Sequence, residues 1–100
     1  HGPYFLACAL SLATDPAALP LVGPGFRDMT RIARHDPAWG QAIWAMNQTE
    51  IRKALTQMRQ HLDTLATLPD AAITAYLTQA KAASNFFVKH KETHDPYSNT

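Results

Sequence analysis

The organisation of this chain is decided by the stretch VGPGFRDMTRIARHDP, which runs from Val22 to Pro37. It contains a Gly-Pro-Gly segment, a run of basic and acidic residues, and an Asp-Pro pair. Arg27 and Arg31 lie four residues apart, so a helical stretch would place them on one face. One interpretation is a solvated helix whose arginines pair with neighbouring aspartates. The other is an anion-binding site at a helix start, where the free N–H groups after Gly25 also attract negative charge.

The size and charge of the chain limit its class. One hundred residues suffice for one domain, and an apolar fraction of 46% with 17% charged residues is typical of a globular chain. The formal net charge is +1, and the lysines and arginines are scattered along the sequence. We therefore expect neither a nucleic acid nor a membrane as partner. No run of 18 apolar residues is present, which predicts no transmembrane helix.

The single cysteine and the first residue of the chain suggest its setting. Cys8 is the only cysteine, so no disulfide can form within the chain, and a reducing, cytoplasmic location is expected. Cys8 lies in an apolar run and is predicted to be a small buried hydrophobic residue. Because the chain opens at His1, without Met and next to an apolar segment, we expect it to be part of a longer protein.

The sequence predicts an all-α fold, a helical bundle of about four to five helices. Ala, Leu, Gln, Thr and Met dominate the second half, and no segment alternates with the period of a strand. Asp36 is a good N-cap, and Pro37 suits the first helical position. The predicted elements are an apolar helix over Pro3–Thr14, a loop over Asp15–Gly25, a short helix over Phe26–Arg34, a helix from Pro37 to Met46, a bend over Asn47–Glu50, a helix from Ile51 to Leu65, and a helix over Asp70–Lys89.

Two apolar faces are predicted on the later helices. The first, which we call the seam, repeats at spacings of four and three residues, a period near 3.5 that is typical of long helix–helix packing. Such a seam is either the core of the domain or an oligomer interface, and the spacing does not decide between them. The seam comprises Ile51, Leu55, Met58, Leu62 and Leu65, and the face of the last helix comprises Ile73, Tyr76, Leu77, Ala80, Ala83 and Phe87.

No complete catalytic constellation is found in the sequence. The serines and Cys8 have no base at a suggestive spacing, no GxSxG motif is present, and the Gly-Pro-Gly segment lacks the GK[ST] of a phosphate-binding loop. His90 and His94 have the i, i+4 spacing of metal ligands, but they lie in the polar end of the chain, and no metal site is predicted. We therefore expect no catalytic residue and no metal ligand in this chain.

Three segments resemble those of prephenate dehydrogenases. GPGFRDMTRIARHDP is similar to that family's Gly-Gly-Phe-Arg/Lys-Asp-x-Thr-Arg-Ile-Ala-x-x-Asp-Pro segment. HGPYFLACAL resembles its Ser-His-Leu-Pro-His/Tyr-x-x-Ala stretch, and IWAMN matches its downstream Ile-x-x-x-Asn pattern. The order and spacing of the three agree, and the resemblance covers about Pro3 to Phe87.

The resemblance implies the C-terminal helical dimerisation domain of such an enzyme. It implies that residues 1–90 form this domain, and the polar sequence of residues 91–100 predicts a frayed tail. The parent would oxidise prephenate with NAD or NADP, releasing carbon dioxide and 4-hydroxyphenylpyruvate, in tyrosine biosynthesis. No GxGxxG is present, so the cofactor would be bound mainly by an N-terminal nucleotide-binding domain outside this chain. The implied partners are this domain, prephenate and a second copy of the chain, and the fragment alone is expected to be inactive.

The resemblance also implies substrate-binding residues. Arg31 corresponds to the family's substrate-carboxylate ligand, His1 opens the His-x-Pro stretch near substrate, and Gly25 lies in the turn against the pocket. Three positions depart from the family pattern: Pro24 replaces a Gly, Gly2 replaces a Leu, and Trp39 falls three residues after Asp36, where the family Trp falls four residues after its Asp.

Two other functions stay open from the sequence. Arogenate dehydrogenase shares the architecture and takes the amino-bearing analogue of prephenate. A non-catalytic helical module for interaction or effector binding would have no nucleotide-binding domain in its parent.

Overall fold

All regular elements in the described part of the chain are helices, which confirms the predicted all-α class. A computed structural model describes residues 2–94, with side chains as far as Lys91. The described chain divides into two compact units, one ending at Asp63 and the other beginning at Thr64. The α-helices are α1 (Gly2–Ala13), α2 (Pro24–Thr30), α3 (Pro37–Ala66) and α4 (Ile73–His94), and the 3-10 helices are Pro16–Leu21, Arg31–Arg34 and Asp70–Ala72.

The predicted loop before Phe26 is largely helical. Asp15 caps the 3-10 helix Pro16–Leu21, because its carboxylate accepts the N–H of Ala17 at 2.9 Å. Helix α2 then begins at Pro24, two residues earlier than predicted. The fixed φ of proline suits the first helical position, and Gly23 precedes it in an extended conformation. Gly25 therefore lies inside α2 and not in the predicted turn.

The start of α3 confirms the prediction made from the Asp-Pro pair. The Asp36 carboxylate accepts the N–H of Ala38 at 2.9 Å, and Pro37 is the first helical residue. The bend predicted after Met46 is confirmed at Asn47, whose φ of −146° and ψ of 28° interrupt the helix. Helix α3 continues to Ala66 and ends before the Leu-Pro pair, as the sequence indicates.

The buried core of the first unit is small and joins α1 to α3. Tyr4, Ala7 and Ile51 are its buried apolar residues. The Tyr4 ring lies directly on the backbone of Gly40, because a Cβ built at residue 40 would lie 2.6 Å from the Tyr4 hydroxyl oxygen. The Phe5 and Trp44 rings add a second contact between these helices, with centroids 5.3 Å apart. Gly40 thus permits α1 and α3 to approach closely.

The apolar faces are only partly covered. Helix α1 is apolar nearly all round, yet only Tyr4 and Ala7 of its residues are buried within the described chain, and Leu12 is 89% exposed. Along the seam, burial falls from Ile51, which is 3% exposed, to Leu62, which is 54% exposed. The seam is therefore core at its beginning and open surface further along.

Helix α4 carries an apolar face that nothing in the described chain buries. Its first turn is the 3-10 helix Asp70–Ala72, so the α-helix begins at Ile73, three residues after the predicted start. Leu77 is 56% exposed and Phe87 is 69% exposed, and none of the described side chains of α4 is buried. The helix extends to His94, and the rest of the predicted tail lies outside the described residues. Across residues 2–94, no helix has both the length and the apolar character that crossing a membrane requires.

Candidate anion-binding site

The site begins where α2 changes into a 3-10 helix. Thr30 ends α2 with φ of −105° and ψ of −2°, a sparsely populated backbone region in which active-site residues are often found. Its side chain is 4% exposed, and its hydroxyl donates a hydrogen bond to the Phe26 carbonyl oxygen at 2.8 Å. This bond satisfies the one buried polar side chain of the first unit's described residues. The tighter helix Arg31–Arg34 follows directly.

The 3-10 helix brings two arginines into register. In a 3-10 helix, residues i and i+3 project from the same face, so Arg31 and Arg34 lie side by side. His35 ends the helix in an extended conformation, and its N–H donates to the Ile32 carbonyl oxygen at 3.3 Å. The four residues Arg31, Ile32, Arg34 and His35 line an open depression of about 420 Å³. The helical tightening thus creates a basic concave surface.

The neighbouring aspartates do not neutralise these arginines. Within residues 2–91, neither Asp28 nor Asp36 forms an ion pair with Arg31 or Arg34. The Asp36 carboxylate is instead engaged in capping α3. The interpretation of the arginines as a paired surface is therefore wrong for Arg31. Its planar guanidinium is available to an external carboxylate, which it can hold with two parallel hydrogen bonds.

An aromatic cluster fixes the far side of the depression. The His35 ring lies against Trp39, with centroids 4.8 Å apart and an angle of 35° between the planes. Trp39 in turn contacts Tyr4 edge-on, at 5.0 Å and 89°. Since Tyr4 is packed on Gly40, the orientation of His35 depends on the contact between α1 and α3.

The buried position of Tyr4 also changes the pKa of its phenol. Burial raises the pKa of Tyr4 above its ordinary value of 10.0, and a hydrogen bond with the Cys8 side chain and the charges of Cys8 and Asp36 act in the same direction. Desolvation and nearby negative charge both disfavour the phenolate, so the folded chain holds this group neutral.

A loss of stability at alkaline pH is expected from this shift. Because the pKa is raised on folding, the unfolded chain releases the Tyr4 proton first as the pH passes 10.0. The stabilisation is fully present below this pH and is lost as the pH rises through the folded pKa. We expect the difference in unfolding free energy between wild type and Tyr4→Phe, measured by urea denaturation, to shrink from pH 8 to pH 11. Ile51→Val, which removes a methylene without a titratable group, should keep a constant difference, and a constant difference for Tyr4→Phe would contradict the assignment.

Of the three residues predicted to bind substrate, only Arg31 lines the depression. Arg31 lies in the depression, whereas Gly25 lies in α2 and is not among its lining residues. His1 is outside the described residues. Arg27, one α-helical turn before Arg31, does not line the depression either. Gly25 and His1 thus stay predictions that nothing in the described geometry tests.

Arg34 and His35 were not recognised from the sequence as site residues. An α-helical period pairs Arg31 with Arg27, and His35 directly precedes the Asp36 N-cap. The available signal was the closeness of Arg34 to Arg31 combined with the Asp-Pro pair. A residue before proline disfavours the α conformation and forces the chain to leave the helix nearby.

The described residues contain neither a cluster of three metal-ligating side chains nor a Rossmann-type nucleotide site. No three His, Cys, Asp or Glu side chains come together there in a group that could hold a metal ion. Of the His90 and His94 pair, the His94 side chain lies outside the described residues. The Rossmann type of dinucleotide site is built from a strand, a glycine-rich loop and a helix. Residues 2–94 contain no strand and therefore no site of that type.

The described residues form only helices and leave apolar faces open, which places the chain in the class of all-α association domains. The family described as "Prephenate dehydrogenase, dimerization domain" matches residues 3–82, and the chain belongs to this family. This confirms the resemblance found in the sequence. No curated protein and no solved structure matches the chain.

Proposed function

We propose that this chain is the dimerising and substrate-contributing domain of a prephenate dehydrogenase, which converts prephenate to 4-hydroxyphenylpyruvate and carbon dioxide with NAD or NADP. Membership of the family supports the reaction class. The observation that carries the proposal for the site is the unpaired Arg31 in an open depression. A product of this kind serves tyrosine biosynthesis in the cytoplasm.

The role proposed for Arg31 is to bind and orient one substrate carboxylate. Prephenate carries two carboxylates, and a charge-assisted hydrogen bond contributes about 1.5–3 kcal/mol net. Thr30 and the 3-10 helix hold the Arg31 backbone, and Ile32 offers an apolar wall beside the anion. Hydride transfer takes place in the part of the pocket supplied by a nucleotide-binding domain outside this chain, which also binds the cofactor. No catalytic group is assigned to the described residues.

The homodimer proposed for this domain has candidate surfaces in the apolar faces. The later part of the seam and the face of α4 are exposed, with Leu62 at 54% and Leu77 at 56%. Most interfaces between two copies are twofold, so each residue of such a surface counts twice in the interface. We propose that these faces are covered by the second copy and that the apolar surface of α1 contacts the nucleotide-binding domain.

A charge on the α4 face is expected to weaken the dimer. Leu77→Glu removes apolar surface in both copies and places a carboxylate there, which should raise the dimer dissociation constant about tenfold. Ala82→Glu introduces the same side chain on the opposite face of α4 and should leave the constant within a factor of two. Analytical ultracentrifugation over a concentration series measures both. Equal effects of the two variants, or none, would contradict an interface on this face.

The function itself is tested by prephenate-dependent reduction of NAD and NADP by the full-length protein. The expected result is turnover with release of carbon dioxide, together with no turnover by the 100-residue chain alone. Turnover of arogenate but not prephenate would establish the amino-bearing substrate instead. Absence of turnover with either substrate, in a dimeric and folded protein, would favour the non-catalytic interaction module.

A further inference from the structure

The depression carries more positive charge than one carboxylate requires. The Arg31 guanidinium can satisfy both oxygens of a carboxylate with two of its five N–H groups. Arg34 nevertheless lies on the same face as Arg31, because the two are three residues apart in a 3-10 helix. Arg34 is also without an ion-pair partner among residues 2–91. Two unpaired guanidinium groups on one face repel each other, and an anion with two negative groups relieves that repulsion.

The third polar group of the depression is His35, whose ring is held in place. Its contact with Trp39 restricts the ring, so a ring nitrogen can be presented to a ligand without further ordering. None of the lining residues of the depression is acidic. The surface therefore attracts carboxylates and offers no carboxylate side chain that would pair with an ammonium group.

We propose that Arg34, supported by His35, binds the second carboxylate of the substrate and thereby makes the site selective for a dianionic keto acid over its amino-bearing analogue. This inference rests on the proposed function, since it concerns the two carboxylates of prephenate. In the analogue, an ammonium group lies next to the side-chain carboxylate and would face Arg34. The repulsion offsets part of the attraction for that carboxylate, so the amino-bearing substrate gains less from Arg34 than the keto acid does.

Steady-state kinetics of the full-length protein with prephenate and arogenate test the selectivity. Arg34→Gln should raise KM for prephenate roughly tenfold and KM for arogenate by less than threefold. Arg34→Glu should move the ratio of the two kcat/KM values toward arogenate by roughly 30-fold or more, because the new carboxylate repels the keto acid and attracts the ammonium group. His35→Gln, which keeps a side-chain donor, should change the ratio by less than Arg34→Gln does.

The matched control is Arg27→Gln, which makes the same change outside the depression and should leave both KM values within a factor of two. Equal changes for the two substrates in Arg34→Gln and Arg34→Glu would overturn the inference, as would no change in either. In both cases the wild-type protein would still turn over prephenate, so the proposed function would stand. If the wild type turns over neither substrate, the proposed function fails and the inference fails with it.

Discussion

Replacing Arg31 by glutamine is expected to raise the KM of the full-length protein for prephenate by about 10- to 100-fold, the loss of one charge-assisted pair. Arg31 is proposed to bind a carboxylate that is present both in the substrate and in the transition state. Removing such uniform binding raises KM with little change in kcat. Initial rates over a range of prephenate concentrations at saturating cofactor measure both constants.

Two further variants separate the geometry of this contact from its charge. Arg31→Lys keeps the charge but loses the planar fork, so its KM should fall between those of wild type and Arg31→Gln. Arg27→Gln removes an arginine one α-helical turn away that does not line the depression, and it should change KM less than twofold. If Arg27→Gln raised KM for prephenate as much as Arg31→Gln does, long-range electrostatic attraction would explain the effect, and a specific contact at Arg31 would be contradicted.

The Gly40→Ala substitution is expected to destabilise the fold by about 2 kcal/mol, although alanine favours helix over glycine by about 1 kcal/mol. The added Cβ would lie 2.6 Å from the Tyr4 hydroxyl oxygen and 2.7 Å from a ring carbon. Tyr4 is 7% exposed and forms part of a small core, so the ring has little room to move. Urea denaturation followed by circular dichroism measures the free energy of unfolding.

A matched glycine in another helix provides the control for Gly40→Ala. Gly25 lies inside α2, and a Cβ built there meets nothing within 4 Å, so Gly25→Ala should be neutral or stabilise by up to about 1 kcal/mol. A double-mutant cycle isolates the contact, since Gly40→Ala should become neutral or stabilising in a Tyr4→Ala background. If Gly40→Ala lowered the free energy of unfolding equally in the wild-type and Tyr4→Ala backgrounds, contact with the Tyr4 ring would not be the cause of the destabilisation.

The helix boundaries set by local chemistry could be predicted from the sequence. Asp36 and Pro37 are adjacent and act on the first turn of α3, where the structure shows the predicted cap and the predicted first helical residue. The interruption after Met46 was also predicted, and it falls at Asn47. Such features need no knowledge of what packs against the helix, which is why one sequence is enough to find them.

The composition of the site could not be predicted in the same way. A period of 3.6 residues pairs Arg31 with Arg27, whereas the structure pairs it with Arg34, because the helix tightens after Thr30. The change follows the buried Thr30, and the spacing of residues reveals neither the burial nor the change. The seam gives a second example: its period predicts packing, but only the structure shows that Ile51 is covered and Leu62 is open.

The close approach of Tyr4 to Gly40 constrains how this chain can evolve. Gly40 lies four residues after Asp36, the spacing at which the family pattern that the sequence resembles has its tryptophan. Here the Tyr4 ring occupies the space next to the Gly40 backbone. A larger side chain at position 40 would meet the Tyr4 ring, so a change at position 4 should precede or accompany any enlargement at position 40. Relatives with a bulky residue at the position of Gly40 should carry a different residue, or a differently placed ring, at that of Tyr4. Ancestral reconstruction along such a lineage would then pass through an intermediate with a small side chain at one of the two positions.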